Sequence, residues 1–321
     1  MEVYRVRSKN KEVAMQEGVE KSRKLGSESI VTIACCQFEP KVGYLKENRE
    51  KSVEVIKKAV GQGANLIVLP ELANSGYVFN DKKEARELSE GVPDGESIKV
   101  WSKLAKDHNI YIVAGYNERG GENLFNSSVL IGPNGYLGTH RKIHLWFEEK
   151  LWFEPGDFGI QVFETPIGRI GMHICYDQWF CEVSRIQSLQ GADLIAVSTN
   201  WVPINKTEDP QELEKSGGRP MANYITMVNA HMNTVWIAAA DRIGVERGQP
   251  FLGRSIVVNP LGLPVAGPAS AIKEEILIAR DCNLLESRTK KNWNALNVMP
   301  RDRRIDVYDV MLGYKGKPFA F

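Results

Sequence analysis

At 321 residues, with 41 basic against 40 acidic side chains and a formal charge of +1, the chain is long enough to bury a sizeable core and carries no net charge that would select a polyanion. No apolar run reaches the roughly 18 residues of a membrane span, and residues 1–28 are too charged for a signal peptide. Five cysteines with no CxxC pair point to reduced thiols in a cytoplasmic protein, so no metal or cofactor, no nucleic acid and no membrane is expected as a partner.

In chain order, SIVTIACCQF (29–38) reads as a buried β-branched strand. YLKENREKSVEVIKKAV (44–60) follows as a helix with Leu45, Val53, Ile56 and Val60 on one stripe. NLIVLP (65–70) is a second strand and ESIKVWSKLAKDH (96–108) a second helix. IYIVAG (110–115) and SSVLIG (127–132) are strands, closed by the turn Pro133-Asn134-Gly135. VFETPIGRIGMHIC (162–175) reads as a hairpin ending at Cys175, followed by a helix at 180–190 and a strand at 193–200. A helix at 219–233 and strands at 234–240, 254–260 and 274–280 complete the pattern. Helices and strands interleave, but the hairpins break a plain βαβ rhythm, which favours two sheets with helices outside. Residues 29–285 form one expected domain, between a charged N-terminal arm (1–28) and a C-terminal arm (286–321) expected at a subunit interface. The arms suggest a homodimer or higher homo-oligomer. GQGANL (61–66) begins like a dinucleotide fingerprint, but it lacks the third glycine and precedes a strand instead of opening a helix.

Three strand ends carry ionisable residues: Glu71 after NLIVLP, Lys142 in YLGTHRKIHL and Cys175 after RIGMHI. Strand ends are where α/β folds place their chemistry, yet each residue alone has an ordinary use as a cap, a surface charge or a packed thiol. Taken in order, LPELANSGY, HRKIHL, EKLWFEPGD and GRIGMHICYDQWF resemble the nitrilase superfamily of carbon–nitrogen hydrolases over about residues 30–285. The resemblance implies a four-layer α-β-β-α sandwich and a Glu71–Lys142–Cys175 triad, with Glu149 as the second glutamate.

The chemistry that such a triad must perform is intelligible on its own. A thiol near pKa 8.5 and a carboxyl near 4.3 stand about 4 pKa units apart, roughly 5–6 kcal/mol against proton transfer. A cation beside the sulfur, a helix N-terminus after Cys175 and burial of Glu71 would each narrow that gap. Glu71 is then the base, Cys175 the nucleophile, and Lys142 with the backbone N–H of Tyr176 the oxyanion donors. A competing Cys–His pair would use His173, two residues before Cys175.

Tyr77, Trp146, Trp152, Trp179, Asn200 and Trp201 are the expected substrate-binding residues, suited to a mostly apolar pocket. Tyr176-Asp177 after the cysteine is similar to the amidase and carbamoylase branches, and no arginine follows closely to grip a carboxylate, although Arg219 or Arg242 could. Cys181 stands where relatives commonly have proline. The expected activity is hydrolysis of a small neutral or hydrophobic amide. The alternatives are an N-carbamoyl amine hydrolase, a nitrilase, or an inactive binding protein of the same fold.

Overall fold

The computed structural model describes residues 29–311, so the N-terminal arm and residues 312–321 lie outside the described residues. Twelve strands make two six-stranded sheets. In the first, β1 (Ile30–Gln37), β2 (Leu66–Val68) and β3 (Tyr111–Gly120) run parallel, while β4 (Asn123–Gly132) and β5 (Gly135–Arg141) continue antiparallel from β3. The second sheet holds β6 (Val162–Thr165) and β7 (Gly168–Ile174), joined as a hairpin. Parallel β8 (Leu194–Ser198) and β9 (Trp236–Ala240) follow, and β10 (Ile256–Val258) and β11 (Pro264–Ala266) close its far edge. The last strand, β12 (Glu275–Asn283), crosses back to pair antiparallel with β1.

Alternation along the strands explains the layering. In β1, Ile33 and Cys35 face a core shared with Met172, Ala196 and Ala238 of the other sheet. Ala34 and Cys36 face outward onto Ile56 and Trp101 of helices α1 (Leu45–Gly61) and α2 (Glu96–His108). The adjacent cysteines thus serve two different cores as packing residues. Ile195, Val197 and Ile237 pack outward on Ala222 and Ala230 of α4 (Met221–Asn233). Helix, sheet, sheet and helix therefore stack in four layers, the expected α-β-β-α sandwich.

Some local expectations are corrected. Of the expected stripe of α1, Ile56 is fully buried and Val53 and Val60 are half-buried against the same core, while Asn48, Ser52, Val55 and Ala59 complete the buried face. Polar Asn48 and Ser52 earn inward positions through hydrogen bonds: Asn48 to Lys41 and Asn74, and Ser52 from the Trp101 indole. β3 runs five residues beyond the expected Gly115 because it pairs with β4 as far as Gly120. The C-terminal segment is not simply extended. It contains helical turns at Glu286–Thr289 and Ile305–Met311, and its first part docks on its own chain through Arg288 and Asp193.

Candidate active site

The carboxyl ends of β2, β7 and β8 converge, joined by the end of β5. Beyond β2, Leu69-Pro70 leads to Glu71, whose N–H donates to Thr199 O (3.4 Å) and whose carbonyl accepts from Asn200 Nδ2 (3.0 Å). These bonds tie the two sheets together at the site. Lys142 leaves β5 and is fully buried. Its Nζ donates to Glu71 Oε1 and Glu149 Oε1, both at 2.7 Å. Asn126 Nδ2 also donates to Glu71 Oε1 (2.7 Å), while Glu71 Oε2 is buried without a partner among the described residues. One oxygen of Glu71 thus accepts two hydrogen bonds, and the other is unengaged.

Cys175 follows β7 with φ 42°, in the left-handed region, and begins a single 3-10 turn, Cys175–Trp179. The helix expected at 180–190 is α3 (Cys181–Leu189), and the 3-10 turn separates its N-terminus from the cysteine. The N–H groups nearest Cys175 therefore belong to a 3-10 turn and not to the first turn of an α-helix.

Asp177 fastens this turn to the lysine-bearing segment. It accepts from Ile174 N (3.2 Å), Ile143 N (3.2 Å), His144 N (2.9 Å), His144 Nδ1 (2.8 Å) and His140 Nε2 (3.0 Å). Burial works against its charge, but the hydrogen bonds from His140 and His144 outweigh burial and hold the carboxyl well below the usual range. His173 turns instead to Gln187 Oε1 (3.3 Å), and burial lowers its pKa to about 4. A weakly basic ring engaged elsewhere gives no support to the Cys–His scheme.

Glu71 is pushed up to about 7 by burial first, opposed by Lys142 and reinforced by the charge of Glu149. Lys142 is raised: burial disfavours its charge, but Glu149 and Glu71 overcome that penalty. The Cys175 thiol is raised too, by burial and by Glu71, against the attraction of Lys142. Lys142 favours the thiolate, as expected, but burial and Glu71 outweigh it. Two carboxylates surround one ammonium, and a further negative charge on sulfur is unfavourable there.

A cavity of about 250 Å³ opens at the sulfur, lined by Trp146, Tyr176, Trp179, Asn200, Trp201 and Ile204. Four of the expected substrate-binding residues meet there. Tyr77 and Trp152 instead line an adjoining recess of about 60 Å³, which shares Trp146 and Val202 with the cavity. Tyr77 Oη donates to Glu149 Oε1 (2.6 Å), and Trp152 also packs in a core with Phe79 and Leu145. Arg242 is buried, paired with Glu246 and stacked on Phe251, and Arg219 is exposed; neither lines the cavity. Cys181 is exposed. Asn126 and the Asp177 clamp were missed in the sequence, although Asn126-Ser127-Ser128 is a polar run inside an otherwise apolar strand.

The model of the carbon–nitrogen hydrolase family matches residues 32–286. The chain belongs to that family. The hydrolase is 38% identical to a nitrilase of Pyrococcus abyssi, over 87% of this chain and 99% of that protein. It is 31% identical to an N-carbamoylputrescine amidase of Solanum lycopersicum, over 89% of this chain and 96% of the relative. A solved carbon–nitrogen hydrolase from Helicobacter pylori G27 superposes with TM-score 0.75 at 28% identity, covering 89% and 99% of the two chains. Among the described residues no helix is long and apolar enough to cross a membrane.

Proposed function

We propose that this hydrolase cleaves small amides with a neutral, apolar acyl group through a thioester on Cys175. The observation that carries the reading is Cys175 at the edge of an aromatic cavity, within electrostatic range of the buried Glu71–Lys142–Glu149 cluster. Glu71 Oε2 takes the thiol proton as sulfur bonds to the carbonyl carbon. Because both groups are raised, the proton moves as the bond forms and the pair titrates as one unit. Lys142 spends two of its three N–H donors on Glu71 and Glu149. The third, with the Tyr176 N–H, holds the oxyanion. Glu71 returns the proton to the leaving nitrogen, ammonia departs, and Glu71 activates the water that cleaves the thioester. Glu149 orients Lys142 and the leaving nitrogen.

N-carbamoyl amine hydrolysis is the second reading. Asn200 lines the cavity and its Oδ1 is buried without a partner among the described residues, which suits a substrate bearing N–H donors. Five unpaired cysteines support a cytoplasmic setting. The exposed Met221, Tyr224, Val228 and Met232 of α4 support a homo-oligomer.

Intact-protein mass spectrometry of Glu71→Gln incubated with amides, carbamoyl amines and nitriles tests the reading, with ammonia release followed in the wild type. An acyl adduct on Cys175 from the amides is the expected result. A folded protein giving neither adduct nor ammonia from any class would refute it, and an adduct on Cys181 would name the wrong thiol.

A further inference from the structure

Thr199 stands between the nucleophile and the base. β7 and β8 run parallel with Ile174 opposite Ser198, so Cys175 and Thr199 leave neighbouring strands side by side. The Thr199 backbone is held from both directions: its N–H donates to Ala240 O (3.0 Å), and its carbonyl accepts from Glu71 N (3.4 Å). The side chain is fully buried. Its Oγ1 makes no hydrogen bond in the resting site among the described residues, yet it stands close enough to Cys175 to favour the ionised sulfur. A buried hydroxyl left unpaired costs stability, and a valine of the same shape would avoid that cost. A donor idle toward the neutral thiol and engaged by the thiolate has the pattern of a group that acts in the transition state.

The sulfur needs such a donor. Burial first, then Glu71, push the Cys175 thiol up, while Lys142 and the Thr199 hydroxyl pull it down. Lys142 divides its charge between Glu71 and Glu149, which weakens its hold on a charge developing at sulfur.

We propose that Thr199 is a catalytic residue whose hydroxyl donates a hydrogen bond to the Cys175 sulfur each time that atom gains negative charge. The inference rests on the thioester reaction proposed above and adds a donor on the sulfur side of the reacting carbonyl. In acylation the S–C bond forms while the thiol proton passes to Glu71 Oε2, and the Thr199 proton stays on its own oxygen. In deacylation Glu71 removes a proton from water as the water oxygen bonds to the thioester carbon. The S–C bond then breaks and its electron pair returns to sulfur. The Thr199 hydroxyl holds that charge until Glu71 restores the thiol proton.

Thr199→Val keeps the branched shape and removes the hydroxyl, whereas Thr199→Ser keeps the hydroxyl and removes the methyl. With butanamide, Thr199→Val is expected to lose about tenfold in kcat/KM, the scale of one hydrogen bond to a developing charge, and Thr199→Ser to stay within about threefold of wild type. Alkylation by iodoacetamide, located by mass spectrometry, reads the sulfur without turnover. In Thr199→Val, Cys175 is expected to react about threefold more slowly at neutral pH, because a roughly tenfold loss of thiolate is partly offset by the greater nucleophilicity of a more basic sulfur. Exposed Cys181 is the internal reference, with an unchanged rate. Thr199→Ala removes the same hydroxyl and serves if the valine variant does not fold. Wild-type hydrolysis and alkylation in the valine variant would overturn the proposal. Equal losses in the valine and serine variants would also overturn it, since they would mark a role in shape alone. If wild type fails to cleave butanamide while Cys175 alkylation is slowed in Thr199→Val and not in Thr199→Ser, the amidase reading falls and the contact with sulfur is upheld.

Discussion

Cys175 adopts φ 42°, a conformation that costs a non-glycine residue on the order of 1–3 kcal/mol and persists only where its surroundings enforce it. Asp177 supplies that enforcement, because the same carboxylate holds Ile174 N before the cysteine and Ile143 N after the lysine. Asp177→Asn keeps the shape but removes acceptor capacity and charge. It is expected to lower kcat/KM on the order of 10²-fold through misplacement of Cys175 against Lys142; a full return of activity in that variant would deny the clamp. Because the Asp177 carboxyl is held low, its contribution to stability is complete above the ordinary carboxylate range and is lost as pH falls through and below it.

Glu71 behaves in the opposite sense. With its pKa raised to about 7, it is protonated and unable to act as a base below that pH. The rate profile of kcat/KM should therefore rise with pH to a midpoint of about 7 and then level, since that parameter reports the free enzyme. A profile flat from pH 5 to 8 would remove Glu71 as the base. The ionisable types at these strand ends were readable in the sequence. Their pKa values were not, because burial and much of the mutual charge come from segments distant in the chain, such as those that carry Glu71 and Lys142.

At the scale of elements, β3 must pass directly beneath Glu71, and Gly115 makes this possible. A Cβ at that position would lie 2.3 Å from Pro70 O and 2.4 Å from Glu71 Cα. Gly115→Ala is expected to lower the melting temperature and to displace Glu71, so that activity falls more than stability explains. Thermal denaturation alongside kcat/KM measures both. Strands and helices were legible here from their periods, because a buried strand must be apolar and a surface helix must show a stripe. The stripe of α1 was incomplete for a physical reason: Asn48 and Ser52 are buried with hydrogen bonds satisfied, and periodicity counts only apolar residues.

At the scale of the molecule, the last strand crosses to the first sheet, and the segment after it returns to brace the second. Asp193, at the start of β8, is fully buried and accepts from Arg288 Nε and Nη2 at 2.8 and 2.7 Å. Removing the guanidinium leaves a buried carboxylate with weaker support, from Arg169 N. Arg288→Ala is expected to cost about 1–3 kcal/mol in urea unfolding while leaving the reaction chemistry intact. An unchanged unfolding midpoint would show that this docking adds nothing.

The sequence by itself determined the alternation of strands and helices, the four-layer class and the residue types at the strand ends, because these follow from local periodicity and ordered motifs. Only the tertiary structure decided which oxygen of Glu71 stays free, that a 3-10 turn separates Cys175 from the helix after it, and that the aromatics divide between a cavity and a recess. Those outcomes depend on hydrogen bonds and burial between segments that meet only when the two sheets pack together.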